Sequence, residues 1–131
     1  MKISTKGRYA LVIMAYLARK YETGGYITLK EISDNENISL KYLEKIISLL
    51  NKANLVETQR GANGGYKLNK KPEEYTLLEI IEASEGKIKT VECTEETICT
   101  KKDTCSSRKI WCELNLTIDT FFENKTLKDI M

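Results

Sequence analysis

The chain has 131 residues, 41% of them hydrophobic, and a net charge of only +2, which is the size of one domain with a modest core. It contains no histidine, and this excludes Ser-His-Asp and Cys-His catalysis and any metal site built on imidazole. The charge is unevenly spread: residues 1–72 hold thirteen Lys and Arg against six Asp and Glu, whereas residues 73–131 hold eight against thirteen, so the first half suits a polyanion.

Residues 9–20 are almost all apolar, and the pattern predicts a helix buried on several sides. The apolar run 10–18 is too short for a membrane span, and no small-residue cleavage site follows it. The expectation is a cytoplasmic protein with no membrane contact. Gly24-Gly25 ends the segment. Thr28-Leu29-Lys30-Glu31 has the capping-box pattern, in which hydroxyl and carboxylate each satisfy a backbone N–H at a helix start. Leu29 and Ile32 would face inward, and Asp34-Asn35-Glu36-Asn37 reads as a polar turn. Ser39 is a good N-cap for a third helix, whose core stripe would be Leu40, Leu43, Ile46, Ile47 and Leu50. Its opposite face shows Lys41, Tyr42, Glu44, Lys45, Ser48 and Lys52. Two short helices joined by a tight turn, the second with a basic and polar outer face, form a helix-turn-helix pattern.

Strand-like residues 55–59 and 66–69 follow, separated by Arg60-Gly61-Ala62-Asn63-Gly64-Gly65, the glycine-rich turn that a hairpin needs. A hairpin directly after a recognition helix makes a winged helix. After Pro72, Thr76-Leu77-Leu78-Glu79 has a second capping-box pattern and starts a helix that stops at Gly86. Residues 87–105 lack periodicity. From about 106 to 123 a longer helix is predicted, with Ile110, Leu114, Ile118 and Phe121 on one stripe that Trp111 and Phe122 broaden. So wide a stripe on a terminal helix suggests burial against a second copy of the chain. The expected architecture is mainly α with a small β-hairpin wing: a winged helix-turn-helix over residues 1–72, then a helical extension over 73–131 carrying a cysteine loop (87–105) and a dimerisation helix.

DNA reading needs a helix in the major groove, side chains that reach base edges, and cations or N–H groups for phosphates. Lys41 and Lys45 suit phosphate or guanine, and Tyr42 offers a hydroxyl. Glu44 is repelled by phosphate, so on such a face it would accept from a cytosine amino group or orient a cation. Arg60 suits a narrow minor groove. Thr28 and Ser39 at the helix starts, with Gly61, Asn63 and Gly64 at the hairpin tip, complete the candidate DNA-binding set.

The cysteines are Cys93, Cys99, Cys105 and Cys112. The first three are evenly spaced in a loop-like segment, unlike the close pairs of a zinc finger. Three thiolates on an irregular backbone suit an iron–sulfur cluster; zinc or unlinked thiols remain alternatives on spacing alone. Cys112 falls inside the long helix and reads first as a buried structural thiol, second as a fourth ligand.

Three segments in order, Ile3-Ser4-Thr5-Lys6-Gly7-Arg8-Tyr9-Ala10, Ile38-Ser39-Leu40-Lys41-Tyr42-Leu43-Glu44 and Arg60-Gly61-Ala62-Asn63-Gly64-Gly65-Tyr66, resemble the iron–sulfur cluster regulator (IscR-like) family of winged-helix repressors over nearly the whole chain. The resemblance implies a homodimer held by the C-terminal helices, with two recognition helices on a roughly palindromic double-stranded operator. It also implies a 2Fe–2S or 4Fe–4S cluster on Cys93, Cys99 and Cys105, and iron–sulfur assembly proteins as partners. Glu44 falls on the family's recognition-helix glutamate and Arg60 on its wing arginine. Members holding a 2Fe–2S cluster place a histidine where this chain has Arg108, and a guanidinium cannot ligate iron. Related sensors borrow a carboxylate from a position that is Arg8 here. Cys112, Glu92, Glu95, Asp103, a hydroxyl or an exogenous ligand are left for the fourth place. Two other functions compete: a cluster-free regulator of the same fold, as in some relatives in cysteine metabolism, answering to a partner protein or to thiol oxidation, and a zinc-binding interaction module. No nucleophile–base set or phosphate-binding loop supports an enzyme.

Overall fold

In a computed structural model of the chain, residues 2–92, 100–101 and 103–131 are described. Five helices and one hairpin follow in the order α1 (Thr5–Arg19), α2 (Leu29–Glu36), α3 (Leu40–Lys52), β1 (Val56–Gln59), β2 (Gly65–Leu68), α4 (Leu77–Glu85) and α5 (Arg108–Glu123). Short 3₁₀ turns lie at Tyr21–Thr23, Pro72–Glu74 and Leu127–Asp129. The molecule is a winged helix-turn-helix, mainly α with a two-stranded wing. No helix among the described residues is long and apolar enough to cross a membrane.

The core explains why these segments are helices. Ala10, Ile13, Met14 and Leu17 of α1, Ile32 of α2, Leu43, Ile46 and Leu50 of α3 and Ile80 of α4 are all buried in one cluster. They recur at the three- and four-residue spacing that puts apolar side chains on one helix face. The cluster takes in Tyr75, Leu77 and Leu127 as well, so apolar side chains from beyond residue 72 share the core of the first half. The tail closes on α4: the Leu77 N–H donates to the Lys125 carbonyl at 2.8 Å and the Leu127 N–H to that of Tyr75 at 3.2 Å.

Three local expectations need correction. Residues 34–36 belong to α2, and the turn is confined to Asn37, which ends the helix at φ 54°. Thr28 does cap α2, its hydroxyl accepting the Glu31 N–H at 3.1 Å. Glu31, however, accepts from the Tyr16 hydroxyl at 2.7 Å; tertiary contact draws that carboxylate toward α1. Leu40, assigned to the core stripe, is 43% exposed; in the first turn of α3 it is Leu43 that reaches the core.

Candidate nucleic-acid interface and cysteine segment

The start of α3 is fixed by Ser39, whose hydroxyl accepts the Tyr42 N–H at 3.2 Å. Inward, Leu43, Ile46, Ile47 and Leu50 are buried. Outward, Lys41, Glu44, Lys45 and Ser48 are exposed along one side of the helix. Among the described residues, Lys41, Glu44 and Lys45 take part in no ion pair, so their charges are available to an outside ligand. Tyr42 is half buried, and its ring packs edge-on against Tyr9 of α1, with centroids 5.6 Å apart at 84°. It therefore borders the outward face rather than standing clear of it.

The wing pairs Val56 with Leu68, Glu57 with Lys67, Thr58 with Tyr66 and Gln59 with Gly65. Two glycines make its tip close. A side chain at Gly64 would run into the Gln59 carbonyl, and Gly65, at φ 146°, presses on the Ile27 carbonyl. That second approach lets Ile27 and Tyr66 exchange two backbone hydrogen bonds of 2.8 Å, so the residue before the N-cap of α2 adds itself to the hairpin. The wing is thereby fixed to the helix-turn-helix rather than hanging from it. Arg60, Gly61 and Asn63 are exposed at the tip and Gly64 is buried beneath it.

Between the start of α2, the end of α3 and the wing lies an open groove of about 400 Å³. It brings Thr28 together with Arg60, Gly61 and Gly64; Lys41, Glu44, Lys45 and Asn63 do not line it. Asn51, Thr58 and Gln59 line the same groove. The sequence reading missed these three. Their only local signal was polarity at the end of a helix and in a strand, which is ordinary for a surface.

At the base of the wing the hydroxyl of Tyr75, wholly buried, lies 2.8 Å from the Leu55 carbonyl and 2.9 Å from the Asn69 Oδ1, and accepts the Asn69 N–H at 2.9 Å. One residue borders the entry to β1 and the other the exit from β2. Burial holds the Tyr75 hydroxyl above its ordinary pKa, outweighing the hydrogen bonds that pull it down.

Cys93 and Cys99 lie outside the described residues. Cys105 sits ahead of α5, partly exposed, with its Sγ 3.4 Å from the Ser107 Oγ. The Ser107 hydroxyl, then its backbone N–H, hold this thiol below the usual range. A thiol biased toward thiolate is the donor that iron takes, so the chemistry of Cys105 fits a cluster ligand. Cys112 is exposed on α5, which corrects the expectation of a buried structural thiol; Ile110, Leu114 and Phe121 of the apolar stripe are exposed as well. Arg108 opens α5 two residues later than expected. Among the described residues no group of three or more cysteine or carboxylate side chains gathers to hold a metal.

No residue of α5 is fully buried. Ile110 is 58% and Phe121 57% exposed on the predicted stripe, while Phe122 packs against the core. The segment entering the cysteine region is tied to this helix through Asn115, whose Oδ1 accepts from both the N–H and the hydroxyl of Thr90 at 2.8 Å.

With this geometry in place, the similarities to known proteins are specific. Residues 3–131 match the family model described as Rrf2, iron-dependent transcriptional regulator. The chain is 39% identical over 130 residues to the HTH-type transcriptional regulator CymR of Bacillus subtilis, covering 99% of this chain and 89% of the relative. It is 34% identical over 131 residues to the HTH-type transcriptional regulator IscR of Aliivibrio salmonicida, covering all of this chain and 77% of that one. Among solved structures, that of CymR, the global cysteine regulator of B. subtilis, superposes with a TM-score of 0.84 at 38% identity over 99% of this chain and 95% of its own. T. potens IscR superposes at 0.79 with 32% identity, over 99% and 85%.

Proposed function

The chain belongs to the Rrf2 family of transcriptional regulators, and from that premise we propose that it is a homodimeric repressor that reads a two-half-site operator and senses iron–sulfur, redox or nitric-oxide status through residues 87–105. The observation that carries the DNA-reading part is the exposed Lys41–Glu44–Lys45 face of α3, in no ion pair among the described residues, on a helix whose far end borders a wing that its glycines fix in place. Lys41 and Lys45 engage phosphate or guanine, Glu44 selects a cytosine, and Arg60 enters the flanking minor groove. Thr28, Ser39, Tyr42, Gly61, Asn63 and Gly64 complete the contact surface. Residues 1–72 form the reading unit, and residues 73–131 the sensing and dimerising one. The bare Ile110, Leu114 and Phe121 face of α5 is covered by a second copy. A protein of this kind works in the cytoplasm, where its operator is.

Cys93, Cys99 and Cys105 would hold a 2Fe–2S or 4Fe–4S cluster delivered by iron–sulfur assembly proteins, with Cys112 or a carboxylate in the fourth place. The cluster would supply a redox- and gas-reactive group that binds the three cysteines into one unit. Support comes from the accessible, thiolate-prone Cys105 and from the IscR relatives. Anaerobic reconstitution with iron and sulfide is expected to give a coloured protein, bleached by Cys→Ala at each of the three positions. A colourless wild type with sub-stoichiometric iron would sink the cluster.

A second reading is favoured by the CymR similarity: the same fold without metal, in which oxidation of Cys105 or a partner protein supplies the signal. Normal operator switching by a protein lacking Cys93, Cys99 and Cys105 would favour the partner route and exclude the thiol route.

A further inference from the structure

Glu85 is the last residue of α4 and stands one residue ahead of the segment that carries the cysteines, with Gly86 at φ 81° between them. Its side chain runs back to the start of α1. The Ser4 hydroxyl donates to Glu85 Oε1, and the Gly7 N–H donates to the same oxygen at 3.0 Å. This contact explains a glycine inside a helix, a position where glycine is otherwise unfavourable: a Cβ on Gly7 would lie 2.8 Å from Glu85 Cγ. The carboxylate also meets the positive end of a fifteen-residue helix. Burial alone would raise its pKa, but the hydrogen bonds from Ser4 and Gly7 outweigh burial and lower it.

Two residues beyond Gly7, Tyr9 packs edge-on against Tyr42. Tyr42 belongs to the first turn of α3, the turn whose N–H is held by Ser39. The Glu85 contacts thus hold the first turn of α1 from the foot of the cysteine segment, and the backbone of that same helix carries Tyr9, whose ring meets the start of the recognition helix.

We propose that Glu85 and Tyr9 are positioning residues for DNA reading: Glu85 transmits the state of the cysteine segment to the first turn of α1, and Tyr9 passes it to Tyr42. The idea rests on the reading of residues 87–105 as the sensor. An ordinary structural lock would leave switching unchanged. The relay predicts that switching depends on both residues.

The test uses the full-length protein in its iron–sulfide-reconstituted and metal-free states, with a DNA duplex selected by the wild type from a randomised pool. The readout is the ratio of the two dissociation constants. Glu85→Gln and Tyr9→Leu should each bring that ratio to within about twofold of unity, and the double variant should go no further than either single one. Gly7→Ala, which leaves the Glu85 carboxylate chemically intact but displaces it, should reproduce Glu85→Gln. A wild-type ratio retained in either Glu85→Gln or Tyr9→Leu overturns the relay. A wild-type ratio of one would defeat the sensing reading instead, and the relay is then decided by hydrogen exchange. Glu85→Gln should speed exchange at the Tyr42 amide roughly threefold or more while leaving the core amide of Leu50 unchanged. Equal effects at the two amides, or none at Tyr42, overturn it.

Discussion

Tyr75→Phe tests whether one hydroxyl bolts the wing to the body. The change keeps the ring and its packing but removes the group that faces the Leu55 carbonyl and accepts the Asn69 N–H. Tyr75 is wholly buried, so water does not replace the hydroxyl without local opening. Leaving a buried polar group unsatisfied costs about 1–3 kcal/mol. Two partners lose theirs here, and the site around Asn69 is only partly buried, so the expected loss is about 2–3 kcal/mol. For a chain of this size that lowers Tm by roughly 6–15 °C. The assay is urea unfolding with the m-value compared, at one protein concentration because dimerisation shifts apparent stability. The pH dependence supplies a second check. The folded pKa of Tyr75 is raised above 10.0, so the stability it represents is complete below pH 10 and is lost as pH rises toward the folded pKa. The gap between wild type and Tyr75→Phe should therefore shrink above pH 10. A loss below about 0.5 kcal/mol at neutral pH, or a gap independent of alkaline pH, would refute the assignment.

Three further outcomes are expected. Lys41→Ala should weaken binding to all duplexes and reduce the slope of log affinity against log salt by about 1, whereas Glu44→Ala should relax preference at one base position by about 1–3 kcal/mol; competition binding over a salt series separates them. Phe121→Glu places a charge on the bare face of α5, so sedimentation should show monomers and operator affinity should fall roughly 100-fold or more as the second half-site is lost. Tyr16, raised to about 12 by burial and by its hydrogen bond to Glu31, should make wild-type stability fall between pH 10 and about 12, and Tyr16→Phe should flatten that fall.

Much of the fold was legible because its cues are local. Thr28, Ser39 and Thr76 each cap the helix that begins just after them, and the spacing of Leu43, Ile46, Ile47 and Leu50 fixes the inner face of α3 without any other element. The rest failed where a distant residue competes. Glu31 was read with Thr28 three residues away, yet Tyr16 takes its carboxylate. Leu40 continues a periodic stripe, and periodicity shows which way a helix faces without showing where the core ends. Ser4 and Gly7 meet Glu85 across 81 and 78 positions, a contact that no local pattern announces. The DNA face divides the same way. Lys41, Glu44 and Lys45 follow from helix geometry alone, but Asn51, Thr58 and Gln59 share a groove through the tertiary placement of the wing, which Gly65 lets dock on Ile27.

The start of α5 joins the cysteine question to the dimer question. Ser107 holds the N-cap position but makes no side-chain cap; its hydroxyl lies against the Cys105 sulfur. The first turn that follows contains Arg108 and Lys109 and no acidic residue, an arrangement that the positive end of a helix disfavours. The Cys105 sulfur stands beside this turn, 3.4 Å from the Ser107 Oγ. Arg108 cannot bind iron, but its cation adds to the Ser107 hydrogen bonds in holding the Cys105 thiol below the usual range. Since α5 carries the apolar face that a second copy would cover, Cys105 stands at the foot of the helix through which the two subunits would meet.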